Sequence, residues 1–167
     1  MTLETERLLL KAITRDYIDA IFRAFTAKIA QHMTSRPATY RTETEAFIIT
    51  AMQENEQQTG LTLAILDRQT ADFLGVVSLR VLNSPQPELG IWLKKEAHGQ
   101  GLGREAVRAL KNWADARLTY DYLRYPVDYR NKASRRIAES LNGRIGREFT
   151  THNGSGMPLH ILEYWIK

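Results

Sequence analysis

The chain has 167 residues, 43% of them hydrophobic and 25% charged, the proportions of a globular protein with a single core. It has no cysteine, which excludes a disulfide framework and thiolate chemistry, and no apolar run approaches the roughly 18 residues of a membrane helix. The formal net charge of +4 admits anionic partners. Its densest clusters, however, are Lys94-Lys95 and Arg135-Arg136, with no basic helix or aromatic-rich strand of the nucleic-acid-binding kind.

The opening MTLETERLLLKAI sets acidic residues before a short apolar run, unlike a secretory signal, so a cytoplasmic address is expected. Residues 7–13 read as a strand buried on both faces. Thr14 and Asp16 signal a helix start before Ile18, Ile21, Phe22 and Phe25, which recur at helical spacing. Residues 28–41 read as irregular around Pro37. A second helix is predicted from a Thr42 or Thr44 cap to about Gln58. From Gly60 the period changes to two: LTLAIL and FLGVVSLRVL form a hairpin around DRQTAD, and ELGIWL is the next strand. Residues 103–117 read as a helix with Ala106, Val107, Leu110, Trp113 and Ala114 on its apolar stripe. YLRYPVDY is a strand carrying a proline. NKASRRIAESLNG is a short helix capped by Asn131 and stopped by Gly143. RIGREF and MPLHILEYWI close the chain as two strands around HNGSG. The order β-α-α-β-β-β-α-β-α-β-β predicts one mixed α/β domain over residues 1–167.

The stretch HGQGLG, residues 98–103, links a strand to the first turn of a helix. Helix amino ends offer unpaired N–H groups and partial positive charge, and glycines let the backbone fold closely around a phosphate. The same glycines could instead serve only a tight strand-to-helix turn. A dinucleotide fingerprint does not fit, because Arg104 follows Gly103 and Ala106 stands where a third glycine belongs. A P-loop does not fit either, because Gly103-Arg104-Glu105 replaces G-K-[ST].

The run ELGIWLKKEAHGQGLGREAV, followed by NKASRRIAESLNG, resembles the GNAT superfamily of acetyl-CoA-dependent N-acetyltransferases. The opening TERLLLKAITRDY resembles its RimJ/RimL-like branch of ribosomal-protein alanine acetyltransferases. The resemblance spans nearly the whole chain. Gly101 and Gly103 match the superfamily loop Q/R-x-x-G-x-G/A, while His98 stands where Gln or Arg is commoner. It implies an α/β fold with a mixed, mostly antiparallel central sheet, splayed strands and flanking helices. It also implies acetyl-CoA as co-substrate, with no metal, and an amine as acceptor. The amides of His98, Gly99, Gln100, Gly101, Leu102, Gly103 and Arg104 would cradle the pyrophosphate. The backbone of Ile91, Trp92 and Leu93 would pair with the pantetheine arm in the splay, beside the oddities Gly90 and Pro126. Asn131 and Ser134 match the branch's N-x-x-S, although Asn131 also reads as a plain helix cap. Arg104, Arg135 or Arg136 would meet the ribose phosphate.

For catalysis, the tyrosine acid that many members carry seven residues after the asparagine is absent, since Ala138 stands there. Ser134 is the substitute expected to protonate the departing thiolate. Glu88 is the candidate base, or else an exposed strand-end carboxylate; water or His32, in the irregular 28–41 segment, is the alternative. A protein N-terminus or an amino-acid-like α-amine is the expected acceptor. A non-catalytic acetyl-CoA sensor is the alternative function. A homodimer is common in such folds, and neither a membrane nor a nucleic acid is an expected partner.

Overall fold

Leu8 and Leu10 alternate with Leu9 and Lys11, so their side chains point to opposite faces of a strand. Both faces of the resulting sheet are covered. The structure is a computed structural model that describes all 167 residues. Its strands are β1 (Thr2–Glu4), β2 (Leu8–Ala12), β3 (Gly60–Asp67), β4 (Phe73–Arg80), β5 (Glu88–Leu93), β6 (Leu123–Asp128), β7 (Arg144–His152) and β8 (Pro158–Ile166). The helices are α1 (Ile18–Ala24), α2 (Ala27–Ala30), α3 (Arg41–Gln57), α4 (Leu102–Arg117) and α5 (Lys132–Ser140). The strands form one sheet in the order β1-β2-β3-β4-β5-β6-β8-β7, antiparallel throughout except for β5 and β6. Leu10, Val77, Tyr125 and Leu110 belong to the larger core, under α4 and α5. Ile13, Ile21, Ile48 and Val76 belong to the smaller one, under α1 and α3, where half-buried Leu9 also packs.

The mixed α/β fold is the expected one, with local differences. Strand β1 is additional, and α2 runs from Ala27 into the head of the 28–41 segment expected to be irregular. Helix α3 begins at Arg41 rather than after Thr42 or Thr44, because the Glu43 carboxylate accepts the Tyr40 and Thr39 amides and satisfies the helix start with Tyr40 as the cap. Helix α5 ends at Ser140, and beyond its cap Leu141 it is Asn142, with φ 60°, that takes the left-handed turn expected of Gly143. Gly143 serves close approach instead: a Cβ there would lie 2.7 Å from the Ala138 carbonyl oxygen.

Strand β5 positions the site. It pairs with β4 over six residues, from Leu93 opposite Gly75 to Glu88 opposite Arg80. Its pairing with β6 is a single bridge, Glu88 opposite Arg124. The Arg124 amide donates to the Pro87 carbonyl at 2.8 Å. Backbone groups alternate sides along a strand, so the nitrogen of residue 126 faces β5 as well, and there Pro126 has no hydrogen to give. The parallel ladder therefore stops after one rung. On its other side β6 pairs with β8 along its whole length. Pro126 is thus an interior-strand proline whose missing donor faces the gap, and beyond that bridge β5 keeps an unpaired edge over Gly90–Leu93. Gly90 marks no bulge, since the β4–β5 register is unbroken; a Cβ there would lie 3.0 Å from Ser78 Oγ.

Candidate active site

At the open end of that gap β5 passes through a short 3-10 turn, Lys95–Ala97, into the loop 98–101 and then α4. None of the six amides from Gly99 to Arg104 donates to another group of the chain. Glycine is needed here for conformation: φ is 76° at both Gly99 and Gly101, a region that side chains with Cβ avoid. Clearance is not the reason, since a Cβ on Gly99 meets nothing within 4 Å and one on Gly101 meets only Arg7 Nη2 at 3.6 Å. Gly103 differs, because its Cβ would lie 3.1 Å from Ile137 Cδ1, so it lets α4 approach α5. Leu102 is buried in the core and contributes only its amide to the loop surface. His98 turns back to donate from Nε2 to the Leu93 carbonyl at 2.8 Å, tying the loop to the end of β5.

Two residues far away in sequence lock the loop. Arg7 donates from Nη1 to the Gln100 carbonyl at 2.8 Å and grips Glu105 through Nε and Nη2, each at 2.7 Å. Glu105 also accepts from Thr5 Oγ1 and the Arg7 amide. Burial alone would raise the Glu105 pKa; the hydrogen bonds from Thr5 and Arg7 outweigh it and hold the carboxyl below its usual range. Of the three arginines read as phosphate partners, Arg135 is engaged by Tyr164, the Tyr129 carbonyl and Glu139. Arg104 and Arg136 are exposed and make no ion pair within the chain, so they are the two available to an anion.

Asn131 caps α5, its Oδ1 accepting the Ser134 amide at 3.2 Å. Ser134 Oγ lies 2.7 Å from the Tyr125 hydroxyl. Tyr125 is 2% exposed; burial pushes its pKa up to about 12, against a smaller opposing effect of Ser134. The phenol therefore stays protonated, and when it donates to Ser134 Oγ the serine proton is free for another acceptor. Ala138 is fully buried in the core and leaves no room for a tyrosine.

The candidate bases are separated. Glu88 lies where β5 and β6 still pair, one oxygen held by Arg80 and the other by Arg124 Nη1 at 3.3 Å. Arg124 also reaches buried Glu163, which Arg147 approaches from the other side. This is an ion-pair network with both carboxylate oxygens occupied, which favours the strand-end role for Glu88 over that of a free base. His32 follows α2, and its Nδ1 is 2.6 Å from Oδ2 of Asp128, the last residue of β6. From residue 124 to residue 128 the strand advances roughly 13 Å, so the two candidates occupy opposite ends of it.

The surroundings contain no group of three or more His, Cys, Asp or Glu able to hold a metal, and no helix is long and apolar enough to cross a membrane. Among solved structures, RimL, a ribosomal L7/L12 α-N-protein acetyltransferase in complex with coenzyme A, superposes with a TM-score of 0.85 at 17% identity, covering 99% of this chain and 98% of that one. The microcin C7 self-immunity acetyltransferase MccE, in complex with acetyl-CoA and AMP, gives 0.83 at 18% identity, covering 96% and 92%. Both share the fold. The uncharacterized protein YkkB of Bacillus subtilis is 31% identical over 93 residues, 53% of this chain and 54% of that one, so the match spans about half the length of this curated relative. Residues 7–144 match the family described as acetyltransferase (GNAT) domain, a match that includes β5, the glycine loop, α4, β6 and α5. The chain belongs to the GNAT acetyltransferase family.

Proposed function

We propose that this protein transfers the acetyl group of acetyl-CoA to a primary amine, and that the acceptor is an α-amine on a protein N-terminus or an amino-acid-like molecule. The observation that carries the reading is the row of six unengaged amides at the start of α4, beside the unpaired edge of β5. An anion with several acceptor oxygens, such as a diphosphate, suits those amides and the helix dipole behind them. An extended arm bearing amides suits the edge of β5 that faces the gap, where Ile91 presents its amide and carbonyl and Leu93 its amide, with Trp92 between them turned to β4, as an added strand would. Asn131 holds the first turn of α5 so that Ser134 can donate to a thiolate as it departs, with Tyr125 supporting its hydroxyl.

The acceptor reading rests on proton chemistry and on the RimL likeness. An α-amine with a pKa of about 8 is roughly a tenth neutral at pH 7, whereas a lysine amine near 10.4 is neutral in well under 1% of molecules. The test is mass spectrometry of products from peptides that carry both a free N-terminus and an internal lysine. Acetylation of the N-terminus is expected; acetylation confined to lysine would overturn the α-amine reading.

A further inference from the structure

His32 is fixed from three directions. Its backbone neighbour Gln31 accepts, through its carbonyl, the side-chain amide of Asn153 at 3.0 Å. Asn153 is buried in the β7–β8 turn, where its Oδ1 accepts from Ser155 N, Ser155 Oγ and Met157 N. The next residue, Gly154, is pressed against the same segment: a Cβ there would lie 2.3 Å from Arg36 Cβ, so only glycine lets the two loops close up. The third contact is Asp128. It is fully buried, and its carboxylate also accepts Nε and Nη2 of Arg130. Burial would raise the Asp128 pKa, but the hydrogen bonds from Arg130 and His32 outweigh it and keep the carboxylate ionised. An ionised carboxylate only accepts, so Nδ1 of His32 carries the hydrogen. In the neutral ring the lone pair is then on Nε2, which makes no hydrogen bond within the chain. The side chain is 24% exposed, enough to meet a small group.

The placement suits one task. Leu123, Tyr125 and Val127 point into the core under α4 and α5, so Arg124, Pro126 and Asp128 point to the opposite face. His32 therefore reaches the open end of β6 from the α1–α3 face, while Ser134 reaches it from the α5 side. Asp128 and the α5 cap are joined directly, since the Asn131 amide donates to the Asp128 carbonyl at 2.9 Å. A thioester between β5 and β6 would have a base on one face and a donor on the other.

We infer that His32, oriented by Asp128, is the general base that deprotonates the acceptor ammonium. The inference deepens the acetyltransferase reading and rests on it. The ammonium gives one proton to His32 Nε2, which passes it to solvent. The neutral nitrogen bonds to the acetyl carbon, the carbon–sulfur bond breaks, and the sulfur keeps the electron pair. Ser134 gives its hydroxyl proton to the sulfur and takes the second nitrogen proton in its place, so the products are amide, free thiol and the one proton passed to solvent. Asp128 is a positioning residue, since it acts only through the ring.

The titratable and charged groups on the elements packed around His32 are Asp128 on β6, Arg130 after it, and Arg36 on its own segment, paired with Glu43 of α3. The β7–β8 hairpin adds His152 and the exposed pair His160–Glu148. The test measures steady-state thiol release from pH 6 to 9.5 for wild type, His32→Gln, His32→Ala and Asp128→Asn, with acetyl-CoA affinity measured alongside. His32→Gln is expected to lose roughly 100-fold in kcat at pH 7 with unchanged cofactor affinity, to recover as pH rises, and to leave the fold intact. Added imidazole should restore part of the His32→Ala rate but none of any Asp128→Asn loss. A His32→Gln rate equal to wild type across the range, or a loss that neither pH nor imidazole relieves, overturns the base role while leaving the acetyltransferase reading standing. Failure of wild type to turn over any amine overturns both.

Discussion

Gly101 and Gly103 stand two residues apart, and the structure gives them opposite reasons for being glycine. That difference can be measured by placing alanine at each. At Gly101 the backbone has φ 76° and ψ 6°, where a side chain costs about 1–2 kcal/mol. For a chain of this size 1 kcal/mol moves the melting temperature by roughly 2–4 °C, so Gly101→Ala should melt about 2–8 °C lower. Relaxation of φ toward negative values would turn the amides of Leu102 to Arg104, and each charge-assisted hydrogen bond lost from a bound diphosphate costs about 1.5–3 kcal/mol, roughly 10–150-fold in Kd. Gly103 sits in the first turn of α4 with no positive φ, and its Cβ would press only on the Ile137 methyl, 3.1 Å away. There the helix propensity of alanine, worth up to about 1 kcal/mol, offsets a small rearrangement. Gly103→Ala should therefore melt and bind nearly as wild type. The assay is thermal melting with and without CoA, with Kd by titration calorimetry. If Gly101→Ala melts as wild type does, the conformational reasoning is wrong. If it melts lower yet binds CoA with the wild-type Kd, the loop is strained but does not hold the phosphates.

Ser134→Ala should lower kcat by roughly 10–1,000-fold while acetyl-CoA affinity holds, because the contact to sulfur forms fully only as the bond breaks; stopped-assay kinetics check this. Tyr125→Phe removes the buried partner of Ser134 Oγ and should cost about 1–3 kcal/mol in urea unfolding, with a smaller kcat loss than Ser134→Ala. Glu88→Gln should keep a flat ratio to the wild-type rate between pH 6 and about 9.5, as an ion-pair residue would; a deficit confined to low pH would restore it as the base. Asp128 has a folded-state pKa below its unfolded value, so its contribution to stability is present above about pH 4 and lost as pH falls through the folded value. The stability gap between wild type and Asp128→Asn should accordingly narrow from pH 7 to pH 3, and an unchanged gap would refute the assignment.

Local chemistry was legible where it is local. Strand β5 was read with its observed bounds, and the Asn131 cap of α5 is present as a hydrogen bond three residues long. The α4 stripe is buried at Ala106, Val107, Leu110 and Ala114 as its spacing implied. The start of α3 is less legible, because Thr42 and Thr44 both have the side chain of a cap, whereas Glu43 does the capping from inside the first turn. Strand β1 leaves no signal in the sequence, because three residues with one apolar member carry no period. The groups that shape the site meet across long separations: Arg7 with Glu105, His32 with Asp128, and Tyr125 with Ser134 through a strand-to-helix turn. No spacing encodes such meetings, since sheet order brings them together. Pro126 lies between these cases. Its oddity was visible in the sequence, but which side of β6 lacks a donor follows only from the register with β5.

Turnover at the gap between β5 and β6 is tested by counting both products at once. Wild-type protein is incubated with acetyl-CoA and peptides bearing free N-termini, with free thiol read by colour and acetylated peptide by mass spectrometry. One thiol released for each N-terminus acetylated is the expected result. Saturable acetyl-CoA binding with no thiol release above the protein-free rate, for every amine offered, would contradict it and leave a cofactor sensor in place of an enzyme.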